Sequence, residues 1–138
     1  MTVRSIVCVA LMLPGAACSE GMETPTSATA TAPATLLFAG TLQPRTSRFY
    51  SYTLTTAGSV SALLASVERN GAPLANALEI GIGSPAGTGC AVTLSANVSA
   101  SLIPQLRHEA VAGTYCVRVA DTDGVSAPMT FTIRVIHP

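Results

Sequence analysis

Two carboxylates standing two residues apart, Asp121 and Asp123, with Gly124 behind them, are the first chemistry the sequence offers. That pattern can open a Ca²⁺ loop, in which alternating acidic side chains supply hard oxygen ligands. An EF-hand would need further ligands and a Glu at the twelfth position, and the sequence has neither. Asp and Gly also suit a tight turn between strands, and the turn is the preferred reading, with no metal cofactor expected. His108 and His137 are the only histidines. A catalytic base must be held by a carboxylate and must touch a nucleophile. Glu109 adjoins His108, but neighbours on a strand point to opposite faces. His108 therefore reads as a surface-loop histidine, and a small secreted hydrolase is kept only as a remote alternative. The glycines from Gly81 to Gly87 lack the G-x-G-x-x-G spacing of a phosphate cradle and read as a strand end plus a turn. No serine occupies a G-x-S-x-G elbow. The expectation is a protein that is not an enzyme.

The cysteines carry more information. Met1 to Arg4 bring one positive charge, Ser5 to Leu13 form a short apolar run, and Pro14-Gly15-Ala16-Ala17 break it with small residues. That layout predicts a cleaved signal peptide over residues 1–17; the run falls far short of the roughly 20 residues that span a bilayer. Ala16, Ala17 and Cys18 resemble the bacterial lipobox, with Gly15 standing where the motif usually carries an aliphatic side chain. The resemblance implies a lipid on Cys18 and hence a membrane partner. Cysteine parity points the same way. Cys8 leaves with the signal, so the mature chain keeps Cys18, Cys90 and Cys116, and an odd number in an oxidising compartment leaves one thiol unexplained. With Cys18 lipidated, Cys90 and Cys116 remain as a disulfide pair. They lack the C-x₂-C spacing and His partners of a zinc site. By resemblance to lipoprotein sorting signals, Ser19 after the cysteine favours the outer membrane.

Composition removes several function classes. Charged residues make up 10% of the chain, the formal net charge is +0, and all basic residues are scattered arginines. No long-range field is available to steer nucleic acid, so that partner is not expected. Aromatics are 4% and Trp is absent, so the core must rest on Val, Leu and Ile with a few Tyr and Phe. Phe38 and Phe49 are the two aromatics read as exposed, as in sandwiches that stack rings on sugars, although packing inside remains the preferred reading.

The elements that would position these groups follow from periodicity. Residues 18–35 are rich in Ser, Thr, Ala and Pro with no hydrophobic pattern, and read as a disordered tether. Residues 36–138 form the predicted domain, where the period becomes two. Tyr50, Tyr52 and Leu54 share one face; Val60 to Val67 is almost wholly apolar, as in a strand covered on both sides. Leu78, Ile80 and Ile82 alternate, as do Cys90, Val92 and Leu94, then Tyr115, Val117 and Val119, then Phe131, Ile133 and Val135. Pro104 demotes the stretch from Ser101 to Ala110 to an edge strand or loop. Seven or eight short strands with turn signals between them predict an antiparallel β-sandwich.

On these residues the chain resembles the bacterial pre-peptidase C-terminal domain, a β-sandwich of exported proteins. The resemblance lies in Gly40 to Gly58, Leu78 to Ile82 and Ala112 to Val119. It implies a non-catalytic module. Related domains often carry acids flanking the middle strand, and some collagen-binding relatives use acidic side chains to hold Ca²⁺. Of that pattern only Glu79 matches, with Ala77 where the earlier acid belongs, so the resemblance does not by itself imply a calcium site. The functional expectation is a lipid-anchored envelope module that binds protein or glycan. The alternative is a structural component of an envelope complex.

Overall fold

The computed structural model describes residues 32–138. All regular structure among them is β-strand: β1 (Ala34–Leu42), β2 (Ser47–Leu54), β3 (Gly58–Arg69), the two-residue β4 (Ala72–Pro73), β5 (Leu78–Ala86), β6 (Gly89–Val98), β7 (Leu106–Ala110), β8 (Gly113–Ala120) and β9 (Met129–His137). β1 opens at Ala34, just ahead of the boundary drawn from composition. The strands form two antiparallel sheets. One runs β1-β9-β3, with β4 and β7 sharing the far edge of β3, and the other runs β2-β8-β5-β6. The sheets pack face to face as a β-sandwich, so one row of each strand is buried and the other faces outward.

The alternating rows supply the core. Tyr52 and Leu54 of β2, Leu78, Ile80 and Ile82 of β5, Val117 and Val119 of β8, and Phe131, Ile133 and Val135 of β9 are all buried. The 101–110 stretch divides: Leu106–Ala110 is a true edge strand paired with β3, while Ser101 and Gln105 hydrogen-bond by their backbone N–H groups to Leu64 and Ala62 of β3.

Two strands depart from simple alternation, each at a bulge. In β3 the register shifts between Leu64 and Ser66. Val60, Ala62 and Leu64 face the core before it and Val67 after it, since one extra residue flips parity. The continuous apolar run therefore records a bulge rather than a strand covered along both faces. Within β3, Leu63 alone is buried without joining the core. In β6 the shift falls where Ile82 and Gly83 meet Leu94 and Val92. Leu94, Ala96 and Val98 pack inward, whereas Val92 lies where a Cβ on Gly81 would point, on the outer face. Cys90, Val92 and Leu94 thus do not share one side.

The outer face at that bulge explains two glycines. A Cβ on Gly83 would meet the backbone of Ala91, so the β5–β6 hairpin curls over its own sheet only because both Gly81 and Gly83 lack side chains. Cys90 is thereby brought to Cys116, with the two Cα atoms 5.9 Å apart.

Strand direction defines two ends. β1, β3 and β8 begin at the end where residue 34 enters; the β1–β2 turn and the β8–β9 loop lie at the other. These are called the entry end and the far end below.

Candidate functional site

At the far end, Asp121 joins two loops. Its Oδ2 accepts hydrogen bonds from the N–H of Arg45 at 2.7 Å and of Val125 at 2.9 Å, and its Oδ1 from that of Gly124 at 3.0 Å. The Asp121 N–H in turn donates to the Thr46 carbonyl at 3.0 Å. Burial alone would push the carboxyl up, but the N–H donors of Arg45, Val125 and Gly124 outweigh it and hold its pKa below the usual value. The bond from its own N–H holds Arg45 at φ 56°, a left-handed conformation uncommon for a side chain of this size. The turn signal read at Asp121 and Gly124 is realised, with an added function as a clasp on the β1–β2 turn. As a metal ligand Asp121 is engaged already: both oxygens face N–H donors. Asp123 is exposed, and no group of three or more His, Cys, Asp or Glu gathers among the described residues.

The clasped turn leads directly into β2. Arg48 and Tyr50 reach from β2 to β1, where Nε of Arg48 donates to the Thr41 carbonyl at 2.6 Å and the Tyr50 hydroxyl to the Ala39 carbonyl at 3.0 Å. Gly40, between those two carbonyls, leaves the space that the Tyr50 hydroxyl fills. These bonds cap part of the β1 edge, which would otherwise offer free carbonyls to another strand. Phe38 is stacked on Tyr50 at 5.0 Å between centroids and is half-buried, so it takes the inter-sheet packing that the sequence reading prefers, and only Phe49 departs from that reading.

Phe49 points the other way. It is 38% exposed on the edge strand β2 and lines a shallow cleft of about 400 Å³ with Gln43, Thr46, Ser47, Arg48 and Tyr50. The cleft runs along the β2 edge, its lining residues carrying amide, hydroxyl and guanidinium groups, donors and acceptors of varied geometry. The Phe49 ring lies on the opposite side of the strand from Arg48 and Tyr50. A second trough, of about 340 Å³, crosses the outer face of the other sheet; its walls include Thr41, Ser66, Glu68, Thr130 and Thr132.

The remaining candidates fall elsewhere. Cys18 and the signal peptide lie outside the described residues. Cys90 and Cys116 are bonded, as cysteine parity predicts. His108 is not in a loop: it sits half-buried in β7 with its ring edge-on to Tyr115 at 6.2 Å, while Glu109 is exposed on the opposite face. The irregular stretch around Pro104 ends just before this strand, which is why the sequence points to a loop. His137 stacks on Tyr52 at 6.3 Å. Both histidines thus close the entry end of the core against tyrosines of the opposing sheet, an arrangement that no local motif announces. Tyr52 is pushed up to about 12 by burial and then by its neighbour Tyr115, and its hydroxyl has no hydrogen-bond partner among the described residues. The glycine-rich stretch continues as strand to Ala86, with the turn at Gly87. Glu79 forms an ion pair with Arg118 on the outer face. No family model matches the chain, and the curated proteins include none that matches it.

Proposed function

We propose that this chain is a non-catalytic lipoprotein of the cell envelope whose β-sandwich works as a binding or accessory module, facing the periplasm or cell surface from the outer membrane. The observation that carries the binding reading is the Phe49 cleft. A ring left exposed in a protein with so few aromatics, flanked by polar side chains and held by a buried clasp, has the composition of a recognition surface. The cleft is shallow, which favours an extended partner such as a glycan or a peptide over a small metabolite. The resemblance to the pre-peptidase C-terminal domain supports a non-catalytic role, and the lipobox-like residues with their cysteine parity support the anchor on Cys18.

Phe49→Ala should leave folding almost intact, within about 1 kcal/mol for a partly exposed position. Affinity capture from envelope extracts tests its role: material held by the wild-type chain should be lost with the variant. Equal capture by both chains, or none by either, defeats the reading. The anchor has its own measurement. Mass spectrometry of the mature N-terminus should find diacylglyceryl on Cys18, and an unmodified cysteine there removes the lipoprotein assignment.

One observation favours a second reading, a structural part of an envelope assembly. β2 is an eight-residue edge strand whose outer side is open, and such an edge accepts a strand from a partner. Crosslinking would then give a defined complex, whereas a monodisperse monomer in the envelope would count against it.

A further inference from the structure

The exposed apolar side chains are not spread evenly. Of the five large ones among the described residues, Phe49 alone belongs to the far half; Leu37, Leu102, Ile103 and Val111 are 63%, 78%, 74% and 69% exposed. Leu37 lies in the half of β1 nearest residue 34 and is level across the sheet with Arg134 and Leu63. Leu102 and Ile103 stand between Ser101 and Gln105, whose bonds to Leu64 and Ala62 place them against the β3 edge at that same level. Val111 forms the β7–β8 turn at the entry end itself.

Charge divides the molecule in the same way. The far half holds Arg45, Arg48, Glu68, Arg69, Asp121 and Asp123, along with the Glu79–Arg118 pair. The entry half holds Arg107, Arg134 and Glu109, and its turns at 55–57, 87–88 and 111–112 carry no charge. Arg134 sits between Leu37 and Leu63 with no carboxylate partner within ion-pair distance among the described residues. Its Nε is buried without a hydrogen bond. Exposed aliphatic groups around an arginine that lacks an acidic partner among the described residues make a surface suited to the headgroup layer of a bilayer, where apolar side chains bury and guanidinium groups meet phosphate.

We infer that the entry half is a membrane-docking surface, seating Leu102, Ile103, Val111 and Leu37 in the phospholipid interface so that the Phe49 cleft faces away from the bilayer. The occupant follows from where the chain leads. About 16 residues separate Cys18 from Ala34, a reach of at most about 50 Å, and they join the fold at this half and not at the polar one. The inference rests on the lipid-anchor reading for its choice of membrane, but its surface can be tested without the anchor.

The chain contains no tryptophan, so Ile103→Trp installs a single reporter at a position exposed enough to tolerate it. The chain from residue 18 onward, carrying Cys18→Ala as well so that neither the signal's apolar run nor a lipid can bind, is mixed with vesicles of phosphatidylethanolamine and phosphatidylglycerol. Fluorescence of the Ile103→Trp chain should shift to the blue and be quenched by brominated acyl chains, while a Phe49→Trp reporter should be unaffected. Replacing Leu102 by Ser should weaken vesicle binding about tenfold, the equivalent of one aliphatic side chain withdrawn from the interface. Quenching of the Ile103→Trp reporter supports the docking surface whatever mass spectrometry finds at Cys18, and so separates it from the anchor. A reporter indifferent to vesicles, or one shielded by self-association seen in sedimentation velocity without lipid, overturns it.

Discussion

Replacing Cys90 and Cys116 together with alanine is expected to lower the unfolding free energy by about 3–4 kcal/mol, the value for releasing a loop of roughly 27 residues in the chain-entropy model. Alanine is the suitable substitute because Cys116 is fully buried, where a serine hydroxyl would add a desolvation cost of its own. The bond matters locally as well. It fastens the start of the edge strand β6 to β8 over Gly81 and Gly83, so amides in the first half of β6 should exchange faster in the variant. Urea titration gives the measurement: the midpoint should fall and the slope should rise, because the unlinked unfolded chain exposes more surface. Reducing the wild-type protein should reproduce both changes. A midpoint that does not move in the variant would mean that the cross-link does not govern stability here.

How much of this can be read from the residues depends on the reach of each feature. The inward rows of β2, β5, β8 and β9 are legible, since period-two alternation is a local property and burial on one face enforces it. The pairing of Cys90 with Cys116 is legible by counting. The two bulges are not: Ala65 and Thr93 are ordinary strand residues, yet the register shifts at their positions reverse which parity faces the core. A bulge is fixed by the neighbouring strand, and the neighbour is far away in sequence. The cleft is half legible. Phe49 stands out by its parity against Tyr50 and Tyr52, but nothing near it indicates that Arg48 and Tyr50 bond across to β1. Proline at 104 is a strong local signal and points His108 to a loop, whereas the pairing of His108 with Val60 comes from a distant strand.

Asp121 shows the same limit most plainly, and its substitution is the second large effect expected. Asp121→Ala should destabilise the domain by about 2–3 kcal/mol at neutral pH, because several N–H groups lose a charged acceptor together. Arg45 suffers most, since its left-handed backbone is held by one of those bonds and by no glycine. Asp121→Asn keeps one acceptor oxygen for Arg45 and Val125 but gives up the charge and turns its NH₂ toward the Gly124 N–H, so it should recover only part of the loss. The pH dependence separates charge from shape. Because the folded carboxyl titrates below its unfolded value, its contribution is complete above the unfolded carboxylate pKa of about 3.9. It is then lost as pH falls through the folded value. The gap in urea midpoint between wild type and either variant should therefore be widest near neutrality and shrink in acid by the same amount, while the gap between the Ala and Asn variants, which reports shape alone, should not change with pH. Since the clasp holds the turn that forms one wall of the Phe49 cleft, Asp121→Ala should also weaken envelope capture while the protein is still folded, without touching the ligand. An Ala variant with the wild-type midpoint at pH 7 would show that the two loops hold together without the carboxylate, and the cleft would then need another source of rigidity.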